Sequence, residues 1–261
     1  MRAKKTIIHI LFWGIGLGFI MLIIGYGFHL SKSTMFMMLF IGYLMGIGLA
    51  IPYQIRKVHL LNHKIEGLLQ KMYQGEIDTY MIEMDKILEH TENDYLKSIL
   101  RINQCIGYTL KGEFATSNDY LEKIDKHTID KASQAILYHN IALNCFWLGE
   151  EKKACTIMEL HKEILQKGLE LYPNRFSETF AYWSFAKGQK EQGFTYLEHV
   201  MHSETAKPFE KQAVILLWAK QKIAEKKQIA EAKKMLQEII AETNMPYLKK
   251  EAQKILENIE V

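Results

Sequence analysis

Carboxylates are missing from the start of the chain: no Asp or Glu precedes Glu66. Residues 1–57 carry the basic residues Arg2, Lys4, Lys5, Lys32, Arg56 and Lys57, which leaves 27 basic against 30 acidic residues over the rest. The formal charge of +3 therefore comes from the flanks of an apolar region and not from a basic globular surface. A mildly acidic body does not concentrate on phosphate backbones, so nucleic acid is excluded as an expected partner. Cysteine is scarce. Cys105, Cys145 and Cys155 sit at spacings that suit neither a zinc site nor a redox pair, and they read as small buried apolar residues. Strand signals are nearly absent, and prolines number four. No phosphate-binding loop, nucleophile setting or carboxylate-rich metal motif occurs, so neither an enzyme mechanism nor a cofactor is expected.

What the chain does have, first, is two long uncharged runs, residues 7–28 and 35–53. Each is long enough to cross about 30 Å of hydrocarbon as a helix. A secretory signal peptide is the rival reading of the first run, but the run is too long, lacks a small-residue cleavage site and is followed at once by the second. His29 to Thr34 is too short a link for anything but a tight antiparallel hairpin. Gly14, Gly18, Gly42 and Gly46 form two small-xxx-small patterns that let helix backbones approach. Lys and Arg cluster outside the runs, only Lys32 lying between them, so both termini are expected in the cytoplasm. No Asp, Glu, Lys or Arg lies within either run, and His9 and His29 lie at the ends, which argues against an ion path.

Beyond residue 57 the apolar residues recur at helical intervals. Self-comparison aligns Tyr73-Gln-Gly75-Glu-Ile77, Leu110-Lys-Gly112-Glu-Phe114, Trp147-Leu-Gly149-Glu-Glu151 and Ala186-Lys-Gly188-Gln-Lys190, with Glu225-Lys-Lys227-Gln-Ile229 as a fifth that lacks the glycine. The central residues are 37, 37, 39 and 39 apart. A near-constant period of this size marks stacked helix hairpins, none of which buries its apolar face alone. Each phrase reads as a helix end where Gly adopts the left-handed conformation before a charged residue opens the next helix. Residues 247–260 place Leu248, Ala252, Ile255, Leu256 and Ile259 on one face, as a terminal capping helix would. Val58, Leu61, Ile65, Leu68 and Met72 make either a two-heptad seam or the first helix of the repeats.

The unit Tyr138-His-Asn-Ile141-Ala142-Leu-Asn-Cys145-Phe-Trp-Leu-Gly149-Glu-Glu-Lys-Lys-Ala154, with Ala181, Gly188, Gly193 and Ala232 at later small positions, resembles the tetratricopeptide repeat family. The sequence departs from the pattern where Cys105 and Ser117 replace a small pair, at Lys220, and in intervals above the family's usual length. The resemblance implies an α-solenoid (58–261) of about five helix hairpins and a capping helix, and together with the two uncharged runs this gives an all-α fold in which a transmembrane hairpin (1–57) precedes a cytoplasmic repeat domain. It also implies a concave groove for a protein or peptide segment. In family members that grip acidic C-terminal peptides, Asn and basic residues hold the carboxylate, and Asn103, Asn140 and Arg175 fall on such positions. The candidate groove residues are Asn103, His139, Asn140, Leu143, Arg175 and Tyr182. For Asn103 and Asn140 a structural role is the alternative.

His59 with His63, and His199 with His202, share helix faces but have no third ligand in the local pattern, so no metal is expected. Trp147, Trp183 and Trp218 recur at 36 and 35 residues and read as packing. The expected function is a membrane-tethered scaffold or adaptor that presents its groove at the lipid bilayer. The alternative is an accessory subunit of a transporter or envelope-assembly complex in which the hairpin is the working part.

Overall fold

Helix is the only regular structure among the described residues, which in this computed structural model are 2–28 and 31–260. The chain divides into two units, 1–69 and 70–261. In the first, α1 (Arg2–Gly27) is followed by α2 (Lys32–Tyr73), which continues through Pro52 and past the dividing point. Among the described residues one helical stretch, Lys32–Tyr53, is long and apolar enough to cross a membrane, and Gly18–Gly27 is a shorter apolar stretch. Gly18 and Gly42 bring α1 and α2 close, since a Cβ on Gly42 would stand 3.3 Å from the backbone nitrogen of Gly18. Phe12, Phe19, Phe36, Phe40 and Leu49 are exposed. His29 lies outside the described residues, as do the side-chain surroundings of Arg2, Lys4, Lys5, His9, Gly14, Gly46, Lys57 and Val58.

The second unit is a succession of antiparallel helix pairs. After α3 (Ile77–Glu89), α4 (Asp94–Lys111) pairs with α5 (Phe114–Glu122), and a 3-10 turn leads to α6 (Lys131–Trp147). Then α7 (Glu151–Leu160) and α8 (Lys162–Leu171) both pack on α6. Next α9 (Pro173–Ala186) pairs with α10 (Lys190–Met201), and α11 (Pro208–Ala224) with α12 (Ile229–Glu242). Finally comes α13 (Pro246–Glu260).

The turns explain the repeat. Gly75, Gly112, Gly149 and Gly188 all have positive φ, from +73° to +97°. At Gly112 the glycine N–H donates to the Thr109 carbonyl and the Glu113 N–H to that of Tyr108, which closes the helix end on its own orphan carbonyls. The fifth turn has the same closure, with Lys226 N–H on Ile223 O and Lys227 N–H on Lys222 O, both 2.9 Å. The glycine-equivalent residue there is therefore Lys226 (φ +55°), one earlier than the alignment of phrases suggests. Hydrogen-bond closure, and not side-chain similarity, sets the position.

Two further features depart from the sequence reading. The helix expected after Gly149 is broken at His161 (φ −114°, ψ 20°), whose ring stacks on Tyr138 with centroids 3.4 Å apart. In addition, α13 covers the final pair by packing on α11 and α12, and it also packs on α4. The helices α4, α6, α9 and α11 each pack on the next, so α13 completes a ring. Tyr73, the last residue of α2, stacks on Phe209 of α11 at 4.7 Å.

The core follows the helix faces. Cys105, Leu137, Ala142, Cys145, Ala154, Met158 and Phe176 are fully enclosed, while Cys155 is only half-buried. Burial raises the Cys105 thiol to about 12 and the Cys145 thiol to about 11, so both stay protonated. One group of buried polar side chains is satisfied in a network centred on Asn144. Its Oδ1 accepts from Thr109 at 2.9 Å, and its Nδ2 donates to Ser117 Oγ and Asn118 Oδ1, each at 2.9 Å. Ser117 in turn donates to the Cys105 carbonyl at 3.1 Å, so the substitution of Cys105 and Ser117 for a small pair is accommodated by hydrogen bonding.

Candidate functional site

A cavity of about 450 Å³ lies in the second unit, lined from the end of α2 and from α4, α6, α9, α11 and α13. This volume is in the range of small-ligand sites. Ile106, Leu110, Leu143, Phe209 and Ala213 supply apolar wall, and Tyr73, Tyr172 and Tyr247 add aromatic wall.

Helix α6 delivers one polar side of the cavity. Its start is fixed by Asp130, which accepts from the Ser133 N–H at 2.8 Å and from the Tyr95 hydroxyl at 2.6 Å. These bonds hold the Asp130 carboxyl below its ordinary range. One turn pattern further along, His139 and Asn140 face inward. His139 is 2% exposed, its Nδ1 lies 2.9 Å from Thr179 Oγ1 and its ring stacks on Phe176 at 4.4 Å. Burial, reinforced by the Arg175 charge, drops its pKa well below the usual value, so the ring is neutral. Asn140 is 8% exposed, and its Nδ2 has no hydrogen-bond partner.

Helix α9 delivers the other polar side. Pro173 opens it, a position where the missing N–H costs nothing, and Ser177 Oγ donates to the Pro173 carbonyl at 2.8 Å. Phe176, fully buried, lies against Gly168 and pins the helix, which aims Arg175 and Glu178 into the cavity. Among the described residues no carboxylate lies within ion-pair distance of Arg175, and no cation within that distance of Glu178. Burial lowers the Arg175 pKa from its ordinary value. Glu178 is 8% exposed and accepts one bond, from Trp147 Nε1–H at 3.2 Å. Its desolvation raises the carboxyl to about 7.

The remaining charges of the lining belong to Lys207 and Glu210. Glu210 is engaged in capping α11, where it accepts from the Lys207 backbone N–H at 2.8 Å. The Lys207 ammonium stands 4.3 Å from the Tyr73 ring centroid. Asn174 donates to Thr205 at 3.0 Å and leaves its buried Oδ1 without a partner.

Of the residues marked from the sequence, His139, Asn140, Leu143 and Arg175 line the cavity. Asn103 and Tyr182 are not in its lining: Tyr182 stacks on Phe146 at 5.2 Å, and Asn103 contributes its carbonyl to the Tyr80 hydroxyl at 2.7 Å. Sequence reasoning missed Glu178, Asn174 and Tyr247. For Glu178 the period held a usable signal, since it stands ten residues ahead of Gly188 as His139 stands ten ahead of Gly149. No signal of that kind marks Tyr247, which reaches the cavity through ring closure.

No protein-family model matches the chain, and neither a curated protein nor a solved structure matches it. The cavity's own chemistry is therefore the basis for a functional reading. It presents a guanidinium, an amide donor and an acid that the protein leaves without full partners, inside apolar and aromatic walls. Buried polar and charged groups cost free energy unless they are paired, so an occupant able to pair them gains what the empty site forgoes.

Proposed function

We propose that this chain is a membrane-tethered binding protein whose helical domain, a tetratricopeptide-like solenoid, holds a protein or peptide segment in its interior cavity. The observation that carries the reading is that Arg175, with no carboxylate within ion-pair distance, and the orphaned Nδ2 of Asn140 line one cavity of about 450 Å³. A peptide offers carbonyl and carboxylate oxygens that would satisfy both.

The tether is read from the N-terminal unit. Exposed Phe12, Phe19, Phe36 and Phe40 are unfavourable in water and suited to lipid. In this reading α1 and the first part of α2 form a two-span hairpin, the approach at Gly18 and Gly42 supporting their pairing. The basic residues at its two ends put both termini in the cytoplasm. The helical domain then works as an adaptor near the inner leaflet.

Photo-crosslinking in native membranes tests the proposal. A photoreactive residue replaces half-buried Leu143 in the cavity wall, with exposed Lys162 on α8 as the control position. A partner captured from position 143 and not from 162 is the expected result. Equal capture from both, or none from either, would remove the cavity from the function.

A further inference from the structure

Glu178 and Arg175 are one helical turn apart on α9, both line the cavity, and they do not pair with each other. Three residues of helix separate them by about 4.5 Å along the axis. The described surroundings do not neutralise the acid. Trp147 Nε1–H approaches one oxygen at 3.2 Å, and Glu210, the other carboxylate of the cavity lining, repels it. Tyr182 on the same helix and Tyr247 on α13 bring neutral phenols. Arg175 and Lys207 are the cations of the lining, and neither forms an ion pair with Glu178. The cavity wall therefore carries an acid with no cation within ion-pair distance and a guanidinium with no carboxylate within that distance, while the Glu210 charge acts on both.

We propose that Glu178 is a recognition point for an ammonium group, so that the occupant is a short unblocked peptide with its amine at Glu178 and its carboxylate at Arg175 and Asn140. The inference rests on the reading of the cavity as a binding site and narrows its ligand from any protein segment to a free zwitterion. The cavity of about 450 Å³ has room for a ligand of this size. Tyr247, in the wall beside Glu178, adds an aromatic face of the kind that favours organic cations. Since Glu178 is raised to about 7 in the empty cavity, an arriving ammonium ionises it and releases a proton.

The test uses the full chain in detergent micelles and titration calorimetry with three probes: dileucine, N-acetyl-dileucine and dileucine amide. Free dileucine is expected to bind. N-acetylation should weaken binding at least tenfold in the wild type and leave Glu178→Gln, which keeps the acceptor for Trp147, without a preference. Near pH 7 the wild-type heat should differ between phosphate and Tris buffers because a proton leaves, and that difference should vanish in Glu178→Gln. Equal binding of free and acetylated dileucine to the wild type overturns the ammonium site, as does binding of none of the three. The wild-type comparison stands even if the variant does not fold. Capture of a partner from position 143 without discrimination among the probes would remove only the ammonium site. Failure of both experiments would remove the cavity reading as well.

Discussion

Burial acts on Glu178 and His139 in opposite directions, because one is charged after losing a proton and the other after gaining one. Glu178 has a folded pKa of about 7 against an ordinary 4.5. The unfolded chain thus ionises first, and this group's contribution to stability falls as pH rises from about 4.5 to about 7. For His139 the folded pKa is depressed below 6.5, so its contribution is present above that pH and is lost as pH falls. Between those ordinary values the two slopes oppose each other. Glu178→Gln removes one of them. The variant is expected to exceed the wild type in stability at pH 8 by on the order of 3 kcal/mol, with the gap closing toward pH 4.5. Below pH 6.5 its stability should fall more steeply than that of the wild type. Urea unfolding followed by circular dichroism over this range measures both effects, and a gap independent of pH would contradict the assignment. At this scale a place in the repeat points to His139, Asn140 and Arg175, which line the cavity, and equally to Asn103, which does not. Glu178 was passed over, although it stands ten residues ahead of Gly188 as His139 stands ahead of Gly149, because an acid in a helix reads first as a solvated group.

At the scale of elements, the turns were readable because a left-handed residue is cheap only for glycine. The fifth turn was misplaced by one residue for the same reason, since Lys226 hides it. The break at His161 left no trace in the sequence either, as neither Gly nor Pro stands there. The energetic consequence is testable by substitution. Gly149 has φ +76° and open space around a would-be Cβ, so Gly149→Ala should cost only the conformational penalty of about 1–2 kcal/mol. Gly112 has φ +82°, and its Cβ would stand 3.1 Å from the Cβ of Tyr247. Gly112→Ala should therefore cost more than Gly149→Ala, because α13 must yield as well. In the other direction, Lys226→Gly should stabilise the domain by up to about 1 kcal/mol once the greater freedom of the unfolded chain is subtracted. Thermal unfolding of the three variants ranks them, and an equal loss at the two glycines would show that α13 does not press on the second turn.

For the whole helical unit the deciding contacts are those that join its two ends, and these were not legible in a repeat pattern. A period reports neighbours, whereas the packing of α13 on α4 links segments separated by most of the unit. Tyr247 carries that link. Its ring meets Trp147 edge-on at 5.0 Å and Phe114 edge-on at 5.6 Å, and it forms part of the cavity wall. Asn244 lies against the turn at Gly75, where a Cβ would stand 3.3 Å from its own. A helix that merely capped the last pair would protect α11 and α12, and its loss would leave α4 untouched. A chain stopped after Thr243 distinguishes the two cases by amide hydrogen exchange. Ring closure predicts that exchange rises in α4 as well as in α11 and α12, while α7 and α10, which have no extensive packing on α13, keep their protection. Increased exchange confined to α11 and α12 would mean that the ring is not what holds the cavity together. The same truncation should weaken dileucine binding if closure forms the wall against which the ligand sits, because removing Tyr247 opens the cavity beside Glu178 to water and screens the charge that recognises the amine.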